Sequence, residues 1–249
     1  MSSDNNKNNN KEIEPFVYIA GQPIYFQEDW GTGIGGGLWS TGAALAKYFD
    51  TSHAAQQILQ QQQQATSFLE LGSGNGLLSV CWMALLASLL NDGSNAATYR
   101  QHKVVVTDTA EHLALIRQTI DANPHIIGQR KIGQPFEVLV QEHLWGEFDD
   151  DNVQADATKL PTNQTFDYIV GSDVAYRREL YEPLIASLQR FAHDRTVILL
   201  GCTMADTTPK FFDLLLRAGF LYRRLADHVL PAAYRGQQTF GIFLVQRRR

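Results

Sequence analysis

Three glycines separated by single residues follow a short apolar segment and open a longer apolar one. The segment runs Glu70-Leu-Gly72-Ser73-Gly74-Asn-Gly76. Glycines at the junction between a strand and a helix let the backbone turn sharply and approach a ligand closely. The spacing therefore predicts a loop that holds a nucleotide-like cofactor. A glycine-rich turn without a ligand is the alternative.

A second acidic residue ends the next apolar segment, KVVVTD, at Asp108. A carboxylate there accepts hydrogen bonds from ribose hydroxyls in both dinucleotide and S-adenosylmethionine folds. Two details favour S-adenosylmethionine: the spacing is GxGxG, not GxGxxG, and Glu70 precedes the first glycine. A carboxylate at that position suits a cationic cofactor and repels a pyrophosphate. An ion-paired glutamate at the strand end is the alternative for Glu70.

A third acidic residue, Asp173, follows the apolar segment FDYIVGS, which ends at Ser172, and Tyr176 comes three positions later. We predict that this segment is the fourth strand of a sheet and lies beside the first, which would put Asp173 and Tyr176 next to the cofactor. From these residues alone, an N-terminal helix cap for Asp173 and a core position for Tyr176 are the alternatives.

Short apolar runs alternate with helical stretches from residue 67 onward, and these elements must position the acidic residues. The predicted strands are SFLELG, KVVVTD, PFEVLVQ, FDYIVGSD, TVILLGC and FGIFLVQ, and the predicted helices cover about 77–90, 110–122, 178–192 and 208–218. This alternation predicts an α/β fold with a doubly wound, mostly parallel sheet. Ligands bind beside the carboxyl ends of such strands.

The preceding residues divide into three parts. Residues 1–13 are rich in Asn, Ser and Lys, which predicts a disordered tail, and residues 14–249 are expected to form a single domain. Within it, 14–37 is predicted to form an N-terminal β-hairpin and lid, followed by an amphipathic helix. The glutamine-rich segment 56–64 is expected to be a loop or a polar extension of that helix.

Composition excludes several function classes. A formal net charge of −5 disfavours a broad grip on nucleic acid, and Cys81 and Cys202 are too few for a disulfide framework or a zinc site, so no metal is assigned. No secretory pattern and no apolar run of about 20 residues is present, so we expect no membrane span and a location in the cytoplasm or nucleus. Without a coiled-coil heptad, we expect a monomer.

Together these segments resemble the seven-strand protein lysine methyltransferases of methyltransferase family sixteen, over about residues 30–245. The glycine motif is common to methyltransferases of this fold. The combination of Trp39 in GGGLWSTG, Trp145 in HLWG and the motif Asp173-Val-Ala-Tyr176 is more specific. Leu144 stands before Trp145 where many relatives have an acidic residue, so the hydrogen bonding around the adenine is expected to differ.

The resemblance implies a class I methyltransferase fold, which is Rossmann-like and seven-stranded, with S-adenosylmethionine as cofactor and a lysine of a partner protein as substrate. It assigns the catalytic role to Asp173 and Tyr176. The residues that it assigns to the cofactor are Trp39, Glu70, Gly72, Ser73, Gly74, Asp108, Trp145 and Ser172. Our hypothesis is that Asp173 orients the lysine ammonium while Tyr176 shapes an apolar channel.

Three other functions stay open at this point. The same fold methylates other protein nucleophiles, such as arginine or histidine, and small molecules. An NAD-dependent oxidoreductase would need space for a pyrophosphate where Glu70 stands. A non-catalytic module that binds the cofactor and a partner protein is the third possibility.

Overall fold

The computed structural model describes residues 14–59, 65–91, 101–128, 135–148, 158–161 and 163–248. The predicted disordered tail lies outside these ranges, as do the last five residues of the glutamine-rich segment. The chain begins with the predicted hairpin, in which β1 (Val17–Ile19) pairs antiparallel with β2 (Gln22–Ile24). Residues 29–37 follow and contain two short 3-10 turns; we call them the lid segment.

The main sheet has seven strands. They are β3 (Ser67–Leu71), β4 (His102–Asp108), β5 (Phe136–Glu142), β6 (Phe166–Ser172), β7 (Ala192–Thr203), β8 (Phe220–Arg224) and β9 (Phe240–Arg247). Their order is β5-β4-β3-β6-β7-β9-β8, and only β9 runs antiparallel to its neighbours. The predicted doubly wound, mostly parallel sheet is confirmed, and β6 lies beside β3.

Seven α-helices occur among the described residues. They are α1 (Ser40–Tyr48), α2 (Ser52–Leu59), α3 (Leu77–Asn91), α4 (Leu113–Asp121), α5 (Pro124–Ile127), α6 (Tyr181–Phe191) and α7 (Pro209–Arg217). Neither expectation for 56–64 describes its first part, because residues 56–59 end α2, a helix separate from α1, and Ile58 is buried. None of the described helices is both long and apolar enough to cross a bilayer.

Alternate residues of β3 point into two separate cores, one on each face of the sheet. Phe68 faces α1 and α3 and stacks on Trp82 at a ring-centroid distance of 4.5 Å. Leu69 faces the opposite way, into a core that α6 and α7 complete. Because a strand turns successive side chains to opposite faces, burial on both sides requires a continuous apolar run. This packing fixes the ends of the central strands.

Candidate active site

The ends of three strands that carry predicted site residues lie side by side. β3 is hydrogen-bonded to β4 on one side and to β6 on the other, and all three run parallel. Their carboxyl ends therefore share one edge of the sheet, with Gly72 after β3, Asp108 at the end of β4 and Ser172 at the end of β6. The chain reverses its direction of winding between β3 and β6, which is where ligands bind in doubly wound sheets.

The glycine loop follows β3 at this edge. Gly72, Gly74 and Gly76 have φ values of +62°, +63° and +83°, which side chains rarely adopt. A Cβ at Gly72 would lie 2.6 Å from Cζ2 of Trp145, so the indole rests directly on the loop. The Ser73 hydroxyl is buried beside Glu70, whose pKa it lowers through a side-chain hydrogen bond.

Glu70 faces the first turn of α3 instead of the open edge. Its Oε2 accepts hydrogen bonds from the Ser79 N–H, at 2.9 Å, and from the Ser79 hydroxyl. Burial raises the pKa of this carboxyl from 4.5 to about 7, against the opposing effect of the Ser79 bonds. The partner is a serine and not a cation, so the ion-pair alternative is wrong. Glu70 is thus only partly charged near neutral pH, which weakens its selection for a cationic cofactor.

Asp108 is bonded to the glycine loop itself. Its Oδ2 accepts the Gly74 N–H at 2.7 Å, while its Oδ1 accepts the Thr109 N–H at 2.7 Å. Oδ1 also lies 2.8 Å from Nδ1 of His112. Sequence reasoning missed His112, for which the only signal was its place four residues after Asp108. The structure therefore joins the predicted ribose acid to the loop that precedes it.

Two hydrogen bonds to Ser187 hold the turn that carries Trp145. Ser187 Oγ lies 2.9 Å from His143 Nε2 and accepts the Gly146 N–H at 3.0 Å. Burial lowers the pKa of His143 to about 4, so its imidazole is neutral. Sequence analysis noted His143 only as a neighbour of Trp145. Because the two bonds flank Trp145 along the chain, they fix the turn that places the indole on Gly72.

Asp173 caps a helix, though not the helix that follows it. Its Oδ2 accepts the Thr41 N–H at 3.2 Å and the Thr41 hydroxyl at 2.7 Å, and Oδ1 accepts the Thr203 hydroxyl at 2.7 Å. Thr41 lies in the first turn of α1, whose N–H groups lack partners within the helix. The backbone of Asp173 is left-handed, with φ +54°. Asp173 thus joins β6, β7 and α1 at the open edge.

The other predicted site residues lie around Asp173 and the lid segment. Ser172 contacts α1, since a Cβ at Gly42 would lie 3.2 Å from its hydroxyl. Tyr176 is half-buried, with the Arg177 guanidinium 5.6 Å from its ring centroid, so the core alternative does not describe it.

Trp39 is 42% exposed, and its Nε1–H donates to the Ile34 carbonyl at 2.9 Å. Trp39 thereby fastens the lid segment to the start of α1.

The described residues contain no group of three or more His, Cys, Asp or Glu side chains that could hold a metal ion. Cys81 and Cys202 are both buried free thiols. The site is built instead from carboxylates, hydroxyls, the His112 imidazole and the aromatic side chains of Trp39, Trp145 and Tyr176.

Known proteins resemble the chain in sequence and in fold. It is 25% identical over 226 residues to protein-lysine N-methyltransferase EFM6 of Saccharomyces cerevisiae, covering 88% of this chain and 85% of the relative. It is 26% identical over 213 residues to protein N-lysine methyltransferase METTL21A of Mus musculus, covering 84% and 79%. The glycopeptide N-methyltransferase MtfA, in complex with S-adenosylmethionine, shares the fold at 14% identity, with a TM-score of 0.51 and coverage of 80% and 93%.

A profile of the lysine methyltransferase family matches residues 19–218, about four-fifths of the chain. The matched range includes the lid segment, the glycine loop, Asp108, Trp145 and Asp173. The chain therefore belongs to the lysine methyltransferase family.

Proposed function

We propose that this chain transfers a methyl group from S-adenosylmethionine to a lysine side chain of a partner protein. The observation that carries the proposal is the meeting of the glycine loop, Asp108 and Asp173 at three adjacent parallel strand ends. The family match supports the reaction. The relatives named above act on protein lysines according to their names, which supports a protein substrate.

The residues present fit the methyl donor. The backbone of Gly72, Ser73 and Gly74 would hold it, Asp108 would accept its ribose hydroxyls and Trp145 would lie beside it. The left-handed glycine backbone at the switch point and the Trp145 indole against Gly72 are the features of this structure that support the fit. When bound, S-adenosylmethionine supplies an electrophilic methyl group on a sulfonium centre.

In this proposal Asp173 receives the incoming lysine. A free lysine has a pKa of about 10.4 and must lose a proton before its nitrogen can attack. A carboxylate has about four acceptor positions, and Asp173 uses three of them on Thr41 and Thr203. The remaining position accepts the ammonium, and deprotonation to water then leaves the amine aligned.

The hydroxyls of Thr41 and Thr203 hold the Asp173 carboxylate in one orientation. Alignment of this kind matters because methyl transfer requires the nitrogen, the methyl carbon and the leaving sulfur to lie nearly in line. Tyr176, three positions after Asp173, would form an aromatic wall of the channel. In this proposal Asp173 orients the nucleophile and Tyr176 shapes the channel that it enters.

Methyl labelling tests this function. Tritiated S-adenosylmethionine is added to a cell lysate with the wild-type chain or with Asp173→Asn, and the labelled residue is identified by mass spectrometry. Asparagine keeps the shape of aspartate and tolerates the left-handed backbone, but it removes the charge. We expect discrete labelling on lysine by the wild type and roughly 100-fold less by the variant, with the affinity for S-adenosylmethionine nearly unchanged.

Thr203→Val is the matched control, because it removes one bond to Asp173 and leaves the charge in place. It should lower labelling much less than Asp173→Asn does. Labelling of arginine or histidine by the wild type would contradict the proposed substrate. Equal labelling by wild type and Asp173→Asn would contradict the role of Asp173.

We also propose that the chain acts as a monomer in the cytoplasm or nucleus. Two buried free thiols and the acidic net charge support a reducing compartment and a partner that is not nucleic acid. Cell fractionation and the mass in solution by light scattering test the location and the oligomeric state. A mass of two chains or recovery in the secretory fraction would contradict this proposal.

A further inference from the structure

The lid segment lies directly on the glycine loop. A Cβ at Gly74 would be 2.3 Å from the Gly35 carbonyl oxygen, and a Cβ at Gly35 would be 2.6 Å from Cε1 of His112. The Gly35 carbonyl thus lies against the backbone of Gly74, and the His112 ring lies against Gly35. The lid segment therefore occupies the space above the second glycine of the loop.

His112 bonds the lid segment to Asp108. Its Nε2 lies 3.1 Å from the Thr32 carbonyl and its Nδ1 lies 2.8 Å from Asp108 Oδ1. A carbonyl and a carboxylate can only accept, whereas a neutral imidazole has a single N–H. Both bonds therefore exist together only when the ring carries a proton on each nitrogen. Nδ1 also lies 3.2 Å from the Thr109 hydroxyl, which can donate to an unprotonated Nδ1. The bond to Asp108 therefore belongs to the imidazolium, whereas a neutral ring protonated at Nε2 keeps the bond to Thr32.

Few charged groups act on His112. Asp108 is in contact, Glu111 stands in the same turn, and the lid segment offers the carbonyl of Thr32. The hydrogen bond to Asp108 raises the pKa of His112, burial opposes that effect, and Glu111 and Thr32 add to the rise. The side chain is 9% exposed. The charged form is thus favoured while the lid segment stays in place.

The same bond occupies an acceptor position that the cofactor needs. Asp108 already accepts from the Gly74 N–H, the Thr109 N–H, the Thr109 hydroxyl at 3.3 Å and His112. These four bonds fill the roughly four acceptor positions of a carboxylate, and two ribose hydroxyls require two of them. The bonds from the Gly74 and Thr109 N–H groups come from backbone beside the strand ends. The bonds from His112 and from the Thr109 hydroxyl come from side chains, so rotation of those side chains can release them.

We propose that His112 is a positioning residue of the cofactor site, whose imidazolium fastens the lid segment to Asp108 and competes with the ribose of S-adenosylmethionine for that carboxylate. The inference rests on the proposed function, since it takes Asp108 as the ribose acid. Loss of the Nδ1 proton from His112 removes its bond to Asp108 and lets the Thr109 hydroxyl turn from Asp108 to Nδ1, which frees two acceptor positions on Asp108 while Nε2 still donates to Thr32. Binding of the cofactor should therefore strengthen as pH rises.

The test is the affinity for S-adenosylmethionine, measured by calorimetry at about pH 6 and about pH 8, for the wild type and His112→Gln. Glu70 and the amine of the ligand titrate in the same range, so the quantity of interest is the ratio of the two dissociation constants at each pH. We expect the wild type to bind roughly 3–10-fold more weakly than the variant at the lower pH and about equally at the higher one.

His228→Gln is the matched control, because it changes an exposed histidine far from the glycine loop in sequence, and it should behave as the wild type. Gly35→Ala is a second way to free Asp108 from His112, because its Cβ would displace the His112 ring without removing it. It should reproduce the effect of His112→Gln on the pH dependence.

A ratio of the wild-type and His112→Gln dissociation constants that does not change with pH would overturn the inference. Weaker binding by His112→Gln at both pH values would overturn it too, because that result indicates a merely structural role. Absence of binding by the wild type at every pH would instead contradict the proposed function, and the inference would fall with it.

Discussion

Glu70 makes the stability of this protein depend on pH in an unusual direction. Its carboxyl is 1% exposed and its pKa rises from 4.5 to about 7 on folding, chiefly through burial. At a pH below both pKa values the carboxyl is protonated in the folded and the unfolded chain. Between them the folded chain keeps a proton that the unfolded chain has lost, so the free energy of unfolding falls as pH rises through this window.

The size of the effect follows from the two pKa values. Each unit corresponds to about 1.36 kcal/mol, so the full change is about 3 kcal/mol. In a chain of this length that equals roughly 6–12 °C in the melting temperature. Glu70→Gln removes the ionisation, and its amide oxygen can still accept the Ser79 N–H. The variant should gain about 3 kcal/mol relative to wild type between about pH 5 and pH 8.

Urea unfolding followed by circular dichroism at several pH values measures this difference. Comparing the variant with wild type at each pH cancels the histidines, which titrate in both proteins. Glu137→Gln, an exposed change on β5, is the control and should shift the curve by a constant amount. If the curves of Glu70→Gln and wild type run parallel across the window, the reasoning from burial is refuted.

Two further changes test the geometry of the loop. Gly74→Ala should weaken S-adenosylmethionine binding at least about tenfold in calorimetry, because a side chain at φ +63° strains the loop whose N–H holds Asp108. Gly236→Ala, which has open space at φ +73°, should cost only about 1–2 kcal/mol of stability and leave binding intact. Ser187→Ala should raise the KM for S-adenosylmethionine roughly fivefold with little change in kcat, because it loosens the turn of Trp145. An unchanged KM would contradict that role.

Much of the site could be predicted because its residues follow strands with a clear pattern. Burial on both faces leaves a continuous apolar run in β3, β4 and β6, and parallel strands bring their carboxyl ends together. The positions of Gly72, Asp108 and Asp173 follow from that pattern and from the family resemblance. β8 was not predicted, since it is an edge strand of which only Phe220 is buried.

The remaining contacts join residues that are distant in sequence. Thr32 and His112 are 80 positions apart, and Thr41 and Asp173 are 132 apart. Periodicity carries no information on such pairs, because each depends on how loops settle over a finished sheet. Glu70 is a different case: its partner Ser79 lies only nine positions later, but the glycine spacing does not tell which way the carboxylate turns at the end of the strand.

The order of strands also constrains how the chain reaches its native state. β3 is the first strand of the main sheet along the chain, yet its register partner for Phe68 in β6 is Tyr168, a hundred residues later. At a synthesis rate of about 5–20 residues per second, this partner leaves the ribosome roughly 5–20 s after β3 does. Until then one edge of β3 is unpaired, and Leu69 and Leu71 lack the second core layer. A nascent chain that ends before Phe166 therefore presents an open apolar strand edge, so truncated products should depend on chaperones more than the full chain does.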